Sequence, residues 1–210
     1  MRTLAIAVAA IVIASPADAE TAAGAVHMTP APGVSFDLPD TWIACDDATN
    51  KRLGDHPDPH GLKSKVCVAS PDVPYKFRAF NPILFRTIAM LLDQHDKQDV
   101  TPEDLASITP EIAKAISPQT CEEVVKPIAS GGATINNCEV TIDTFANMKA
   151  LHSVVIATPA SGLPIAKFQI DIYEMPYAHG YLQVQFNTPA AFRSATAPEI
   201  NAIISSFKIE

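Results

Sequence analysis

Alternation of apolar and polar positions opens the chain's folded part. Val34, Phe36 and Leu38 alternate with polar residues in GVSFDLPDTW, the pattern of a half-buried strand. Pro39-Asp40 turns the chain, and Trp42 to Cys45 starts a second strand. Residues 46–65 are polar and read as a long loop, from which Val66-Cys67-Val68 returns as a strand. Tyr75 to Phe80 is a further short strand. Asn81 to Leu92 is ambiguous. Asn81-Pro82 resembles a helix start and Leu84, Ile88, Leu91 and Leu92 keep helical spacing, yet the run is short enough for a buried strand.

Residues 101–125 carry three hydroxyl–proline pairs, Thr101-Pro102, Thr109-Pro110 and Ser117-Pro118. Each is an N-cap before a first-turn proline, so a chain of short helices is expected. Leu105, Ile108, Ile112 and Ile116 form one apolar stripe for core packing. The last third reads as four strands, Ile135–Phe145, Met148–Ala157, Ala166–Met175 and Tyr181–Phe186. Short turns join them, which predicts an antiparallel meander. A final helix is expected from Thr196, with Thr196 and Glu199 as a capping box and Ile200, Ile203, Ile204 and Phe207 as its buried face.

The N-terminus adds an address. One arginine precedes an eleven-residue apolar run, Leu4 to Ala14, and Ala17-Asp18-Ala19 has the small-x-small pattern of a cleavage site. The run is too short for a membrane span, which needs roughly 20 residues. Residues 1–19 are therefore expected to be a signal peptide cut before Glu20, with 20–32 a flexible segment and 33–210 a single domain. The product would be periplasmic or secreted, with no transmembrane segment in the mature chain.

The 210 residues carry a formal charge of -8 and 48% hydrophobic residues. That balance is globular, and its acidity argues against nucleic acid and anionic lipid as partners. Cys45, Cys67, Cys121 and Cys138 form an even set in an exported chain, which suggests disulfides. Of three possible connectivities the sequence-local one is Cys45–Cys67 with Cys121–Cys138.

Two stretches resemble a known family. GVSFDLPDTW is similar to the opening of PsbP-like domains, and YLQVQFNTPAAFRSATAPEINAIISSFKI to their ending of strand, irregular link, helix and "S-F-hydrophobic". The layout between them is compatible, and it tips Asn81 to Leu92 toward strand. The resemblance implies an α+β fold, an α/β/α sandwich around a twisted antiparallel sheet. The superfamily includes extrinsic photosystem II subunits, a Ran-binding import factor, the DcrB group and adaptors of secreted toxins. Such members bind other proteins, which is analogy about function and not chemistry. The two cysteine pairs and the GDHPDPHG stretch depart from that pattern.

Chemistry is sparse. Asp55, His56, Asp58 and His60 lie together in GDHPDPHG, a ligand set for zinc or copper if a tight turn gathers it. Pro57 and Pro59 oppose a helix there, and an extended segment would set the imidazoles about 12 Å apart. A rigid solvated loop is the simpler expectation. His152 is positioned to meet Asp143 across a hairpin as a structural pair. Motifs of serine hydrolases, zinc proteases, phosphate loops and dithiol exchange are missing from the sequence. Lys167, Gln169, Asp171 and Tyr173 share one parity and Tyr181, Gln183 and Gln185 another, so paired strands would build a polar, aromatic-edged binding face.

The expectation is an exported protein, more a binder than an enzyme, that binds or helps assemble an unidentified envelope protein without a cofactor. One alternative is a periplasmic metal-binding protein or metal-dependent hydrolase using the DHPDPH loop. Another is an inhibitor or immunity protein whose acidity steers it to a basic exported enzyme.

Overall fold

The computed structural model describes residues 24–54, 56–59, 61–67, 75–93, 101–160, 165–178 and 180–210. The signal segment, Asp55, His60, Val68, His95 and His179 lie outside the described residues. Among the described residues ten strands and five α-helices follow in chain order, with one 3-10 turn at Ala190–Phe192. They are β1 (Ala25–Ala31), β2 (Val34–Pro39), β3 (Ile43–Ala44), α1 (Asp47–Leu53), α2 (Lys63–Val66), β4 (Tyr75–Asn81) and β5 (Arg86–Asp93). Then come α3 (Pro102–Ser107), α4 (Pro110–Ser130), β6 (Thr134–Phe145), β7 (Met148–Thr158), β8 (Phe168–Tyr177), β9 (Gly180–Pro189), α5 (Arg193–Ser206) and β10 (Lys208–Ile209). No helix among the described residues is long and apolar enough to cross a membrane.

Two antiparallel sheets organise the α+β fold. One has seven strands in the order β3-β4-β5-β9-β8-β7-β6, the other three in the order β1-β2-β10. The meander of the last third pairs as its alternation predicts, and Ala146 and Asn147 turn β6 into β7 at positive φ.

Strand parity assigns the two faces of the large sheet. Phe77, Met90, Tyr173, Met175, Leu182, Val184 and Phe186 pack with Phe36 and Leu38 of β2 and Ile200, Ile203 and Phe207 in and after α5. Ile170, Ile172, Val155 and Ala157 point the other way, toward Val124, Val125 and Ile128 of α4. The large sheet is therefore the middle layer. The small sheet and α5 cover its inner face, and α4 leans on its outer face. Phe36 stacks on Phe207 with ring centres 4.4 Å apart, which joins the first strand of the expected domain to its last helix.

Several expectations change. Residues 20–32 were expected to be flexible, but Ala25–Ala31 pairs with β2 and buries Met28. The 46–65 loop contains α1 and α2, and Val66-Cys67 ends a helix rather than forming a strand. α1 has its own local cause. The Asp46 carboxylate caps the Thr49 N–H at 2.7 Å, Lys51 and Arg52 sit in the last turn, and Gly54 ends it at positive φ. Thr101 and Thr109 do cap helices, but Ser117-Pro118 starts none. α4 runs through Pro118 and Pro127, and Ser117 Oγ instead accepts the Val140 N–H of β6 at 3.1 Å. Of the expected stripe, Leu105 is buried and Ile108 packs on the main core, whereas Ile112 is exposed and Ala113 is the buried position of α4. Asn81 ends β4, a turn follows, and Arg86–Asp93 is the strand. α5 begins at Arg193 without a side-chain cap. Thr196 is buried and donates its hydroxyl back to the Phe192 carbonyl at 3.0 Å, while Glu199 is engaged elsewhere.

Candidate functional site

The two cysteine pairs form as the local connectivity predicts, Cys45–Cys67 with Cα atoms 5.2 Å apart and Cys121–Cys138 at 5.9 Å. Each bridge ties a helical segment to the large sheet. Cys45 follows β3 and Cys67 follows α2, so the first holds the α1–α2 segment at one side. Cys121 is in α4 and Cys138 in β6, so the second holds α4 at the other.

Between those two held segments the outer face of the sheet is a groove of about 700 Å³. Its floor crosses β4, β5, β9, β8 and β7, where Phe80, Leu91, Phe168, Ile170 and Ile172 supply apolar surface. Leu62, just before α2, and Val66 of α2 form one wall with Phe85, and Val124, Pro127 and Ile128 of α4 form the other. Phe85 holds a left-handed backbone at φ 53°, a costly conformation for an aromatic residue, and its ring packs on the cluster of Ile43, Leu62 and Phe80.

A polar row crosses this floor. Gln183 donates to Glu174 Oε1 at 2.9 Å, Gln185 to Asn187 Oδ1 at 2.8 Å, and Asn187 to Thr87 Oγ1 at 2.7 Å. Burial pushes the Glu174 carboxyl up, the Gln183 hydrogen bond opposes this, and the Glu123 carboxylate adds to it. Tyr181 is raised for the same reasons, burial first and Glu174 second. A volume in this range, largely apolar with a few convergent polar groups, is the geometry of a recognition site.

The seven residues of the expected binding face do not share a face. Asp171 lies opposite Phe186 and Tyr173 opposite Val184, whereas Gln183 faces Glu174 and Gln185 faces Ile172. Tyr181, Gln183 and Gln185 are therefore on the groove side. Gln169, Asp171 and Tyr173 are on the inner side, and Lys167 precedes β8, where its carbonyl accepts the Ala190 N–H at 2.9 Å. The parity of each set was legible. Their relative parity is a matter of register, which a one-residue shift inverts. Glu174 and Asn187 complete the polar row and were missed because each reads alone as an ordinary polar strand residue.

The inner-face residues build a second polar cluster. His152 is 8% exposed and lies between two carboxylates, Asp143 at 3.3 Å from Nδ1 and Asp171 at 3.2 Å from Nε2. Its ring stacks on Tyr173 at 4.1 Å. Gln169 donates to Asp171 at 2.9 Å and Arg193 stands 3.5 Å away. Burial would raise the Asp171 carboxyl, but the His152 and Gln169 hydrogen bonds and the charges of Arg193 and His152 together hold it below the usual range. The predicted His152–Asp143 pair is present and has a second carboxylate. Ser153, next in the chain, is buried and by parity points to the opposite face.

The proposed ligand loop is described only in part. His56 Nε2 lies 3.0 Å from the Leu53 carbonyl, and Asp58 accepts the Leu62 and Lys63 N–H groups at 2.8 Å each, capping α2. Both side chains thus hold the turn that carries Leu62 to the groove. Among the described residues no group of three or more His, Cys, Asp or Glu side chains is arranged to hold a metal ion.

No protein-family model matches the chain, and no curated protein matches it. Solved structures do. The chain is similar to a cyanobacterial PsbP, CyanoP from Synechocystis sp. PCC 6803, at 15% identity and TM-score 0.44, covering 85% of this chain and 87% of that one. It is similar to LpqN of Mycobacterium tuberculosis, described as involved in cell envelope biogenesis, at 12% identity and TM-score 0.42, covering 88% and 90%. A Bacteroides thetaiotaomicron VPI-5482 protein matches at 10% identity and TM-score 0.41 over 87% of this chain, which spans about half, 47%, of that one. Each is a likeness of chain trace that brings no partner or activity with it.

Proposed function

We propose that this is an exported, non-catalytic protein that binds and helps assemble a partner protein at the cell envelope, receiving a segment of that partner in the groove on the outer face of its sheet. The observation that carries the reading is the groove itself, about 700 Å³ of mainly apolar surface with a disulfide holding the segment on each side. Apolar anchors entering a preformed, walled groove bind with little reorganisation, the general route to peptide-in-groove recognition. The two bridges suit an oxidising compartment, in line with the leader-like N-terminus. His152 lies between Asp143 and Asp171 against the Tyr173 ring, and Asp171 is itself held by Gln169 and Arg193, an arrangement that favours a structural role.

Photo-crosslinking in cells tests this. A benzophenone amino acid at Gln185 in the groove is expected to give a discrete product that the same probe at Lys208, exposed on β10, does not. Products that are identical at both positions, or none at Gln185, would sink the reading. Mass spectrometry of the fractionated protein is expected to find a mature N-terminus at Glu20 outside the cytoplasm.

A further inference from the structure

The groove carries charge that an apolar floor does not need. Glu174 of β8 lines it, held by the neutral Gln183, and Glu123 of α4 lines it from the wall. The two carboxylates are close enough for Glu123 to disfavour ionisation of Glu174. No Lys, Arg or His is among the described residues that line the groove. Two mutually repelling carboxylates, one of them half-buried, are costly without a cation between them. The chain's net charge of -8 acts in the same direction at longer range.

We infer that the segment received by this groove carries a basic side chain, Lys or Arg, among apolar residues, and that its cation sits between Glu174 and Glu123. This rests on the groove being the recognition site. The apolar flanks fill the floor over Ile170 and Ile172, and the cation selects register along it. Affinity comes from the apolar contacts, and the carboxylates decide which apolar segments are accepted.

Panning a library of random twelve-residue peptides on the oxidised mature protein tests this, with Glu174→Gln, Gln185→Trp and Thr87→Trp run in parallel. The two tryptophan variants fill the groove from different strands, so misfolding of one leaves the other, and circular dichroism reports on each. The wild type is expected to enrich apolar peptides with one basic residue, favoured over acidic ones by about tenfold or more. Glu174→Gln is expected to keep the apolar preference and lose the basic one. A selected peptide with its basic residue replaced by norleucine should bind the wild type about tenfold more weakly and Glu174→Gln unchanged. Apolar enrichment without a basic preference, or one that survives Glu174→Gln, overturns the charge selection and leaves the groove reading standing. No enrichment above the tryptophan variants overturns both and turns attention to small apolar ligands.

Discussion

Glu199 shows how much one residue can decide. Its carboxylate accepts the Trp42 indole N–H at 2.8 Å and pairs with the Arg86 guanidinium. Arg86 is 6% exposed, lies 5.7 Å over the Trp42 ring, and burial lowers its pKa to about 10. Removing one partner of a buried pair leaves an uncompensated charge, so Glu199→Ala is expected to lose about 3–5 kcal/mol in urea unfolding. The joint change Arg86→Met with Glu199→Leu should recover most of it. Glu174 gives the opposite sign. A carboxyl raised in the folded state carries no penalty below its unfolded value, and the penalty grows as pH rises from there and is complete above its folded value. Glu174→Gln is therefore expected to raise the melting temperature at pH 7 to 8, with the gain fading toward pH 4. Asp171, held low, acts in reverse. Its contribution is present above the ordinary carboxylate range and is lost as pH falls through its lowered value. The roles of these three acids were not legible in the sequence, because each depends on partners brought from distant strands and helices.

Elements carry the next decisions. α2 and α4 wall the groove, and their packing onto the sheet is partial. Many side chains of α4 are exposed, and Ala113 is its one fully buried residue. The Cys121–Cys138 bridge is thus a main tether for that wall. Cys121→Ser with Cys138→Ser is expected to cost about 3 kcal/mol in the chain-entropy model and to speed amide exchange in α4 more than in β8 and β9. Asp58 does a comparable job opposite. Asp58→Ala should lose about 1 kcal/mol by exposing the Leu62 and Lys63 N–H groups. With His56 and Asp58 both engaged in that turn, zinc or copper is expected to give no melting shift that His56→Ala/His60→Ala removes. A shift lost in that double variant would restore the metal alternative. The caps at Thr101 and Thr109 were readable from hydroxyl–proline pairs. The same signal failed at Ser117 because a proline inside a helix loses one hydrogen bond, and a 21-residue helix tied to β6 by Cys121–Cys138 absorbs that loss.

At the scale of the whole molecule, the seven-stranded sheet separates two environments. Its inner face is closed by β2 and α5, with Phe36 against Phe207, and holds the main core. Its outer face is covered by α4 at one side and α2 at the other, and the middle, left open among the described residues, is the groove. The sequence by itself determined the alternating strands, the meander and its hairpin turns, and the apolar face of α5, and it narrowed the cysteine pairing to three connectivities of which the local one forms. All of these follow from short-range periodicity, turn chemistry and loop closure, which neighbouring residues dictate. Only the tertiary structure decided which parity of β8 meets which parity of β9, that residues 25–31 become a strand, and that Glu174 and Glu123 face one cavity. Those outcomes depend on register and on layer packing between segments far apart in the chain. A one-residue slip would exchange the groove face for the core face, and no local pattern records which register is taken.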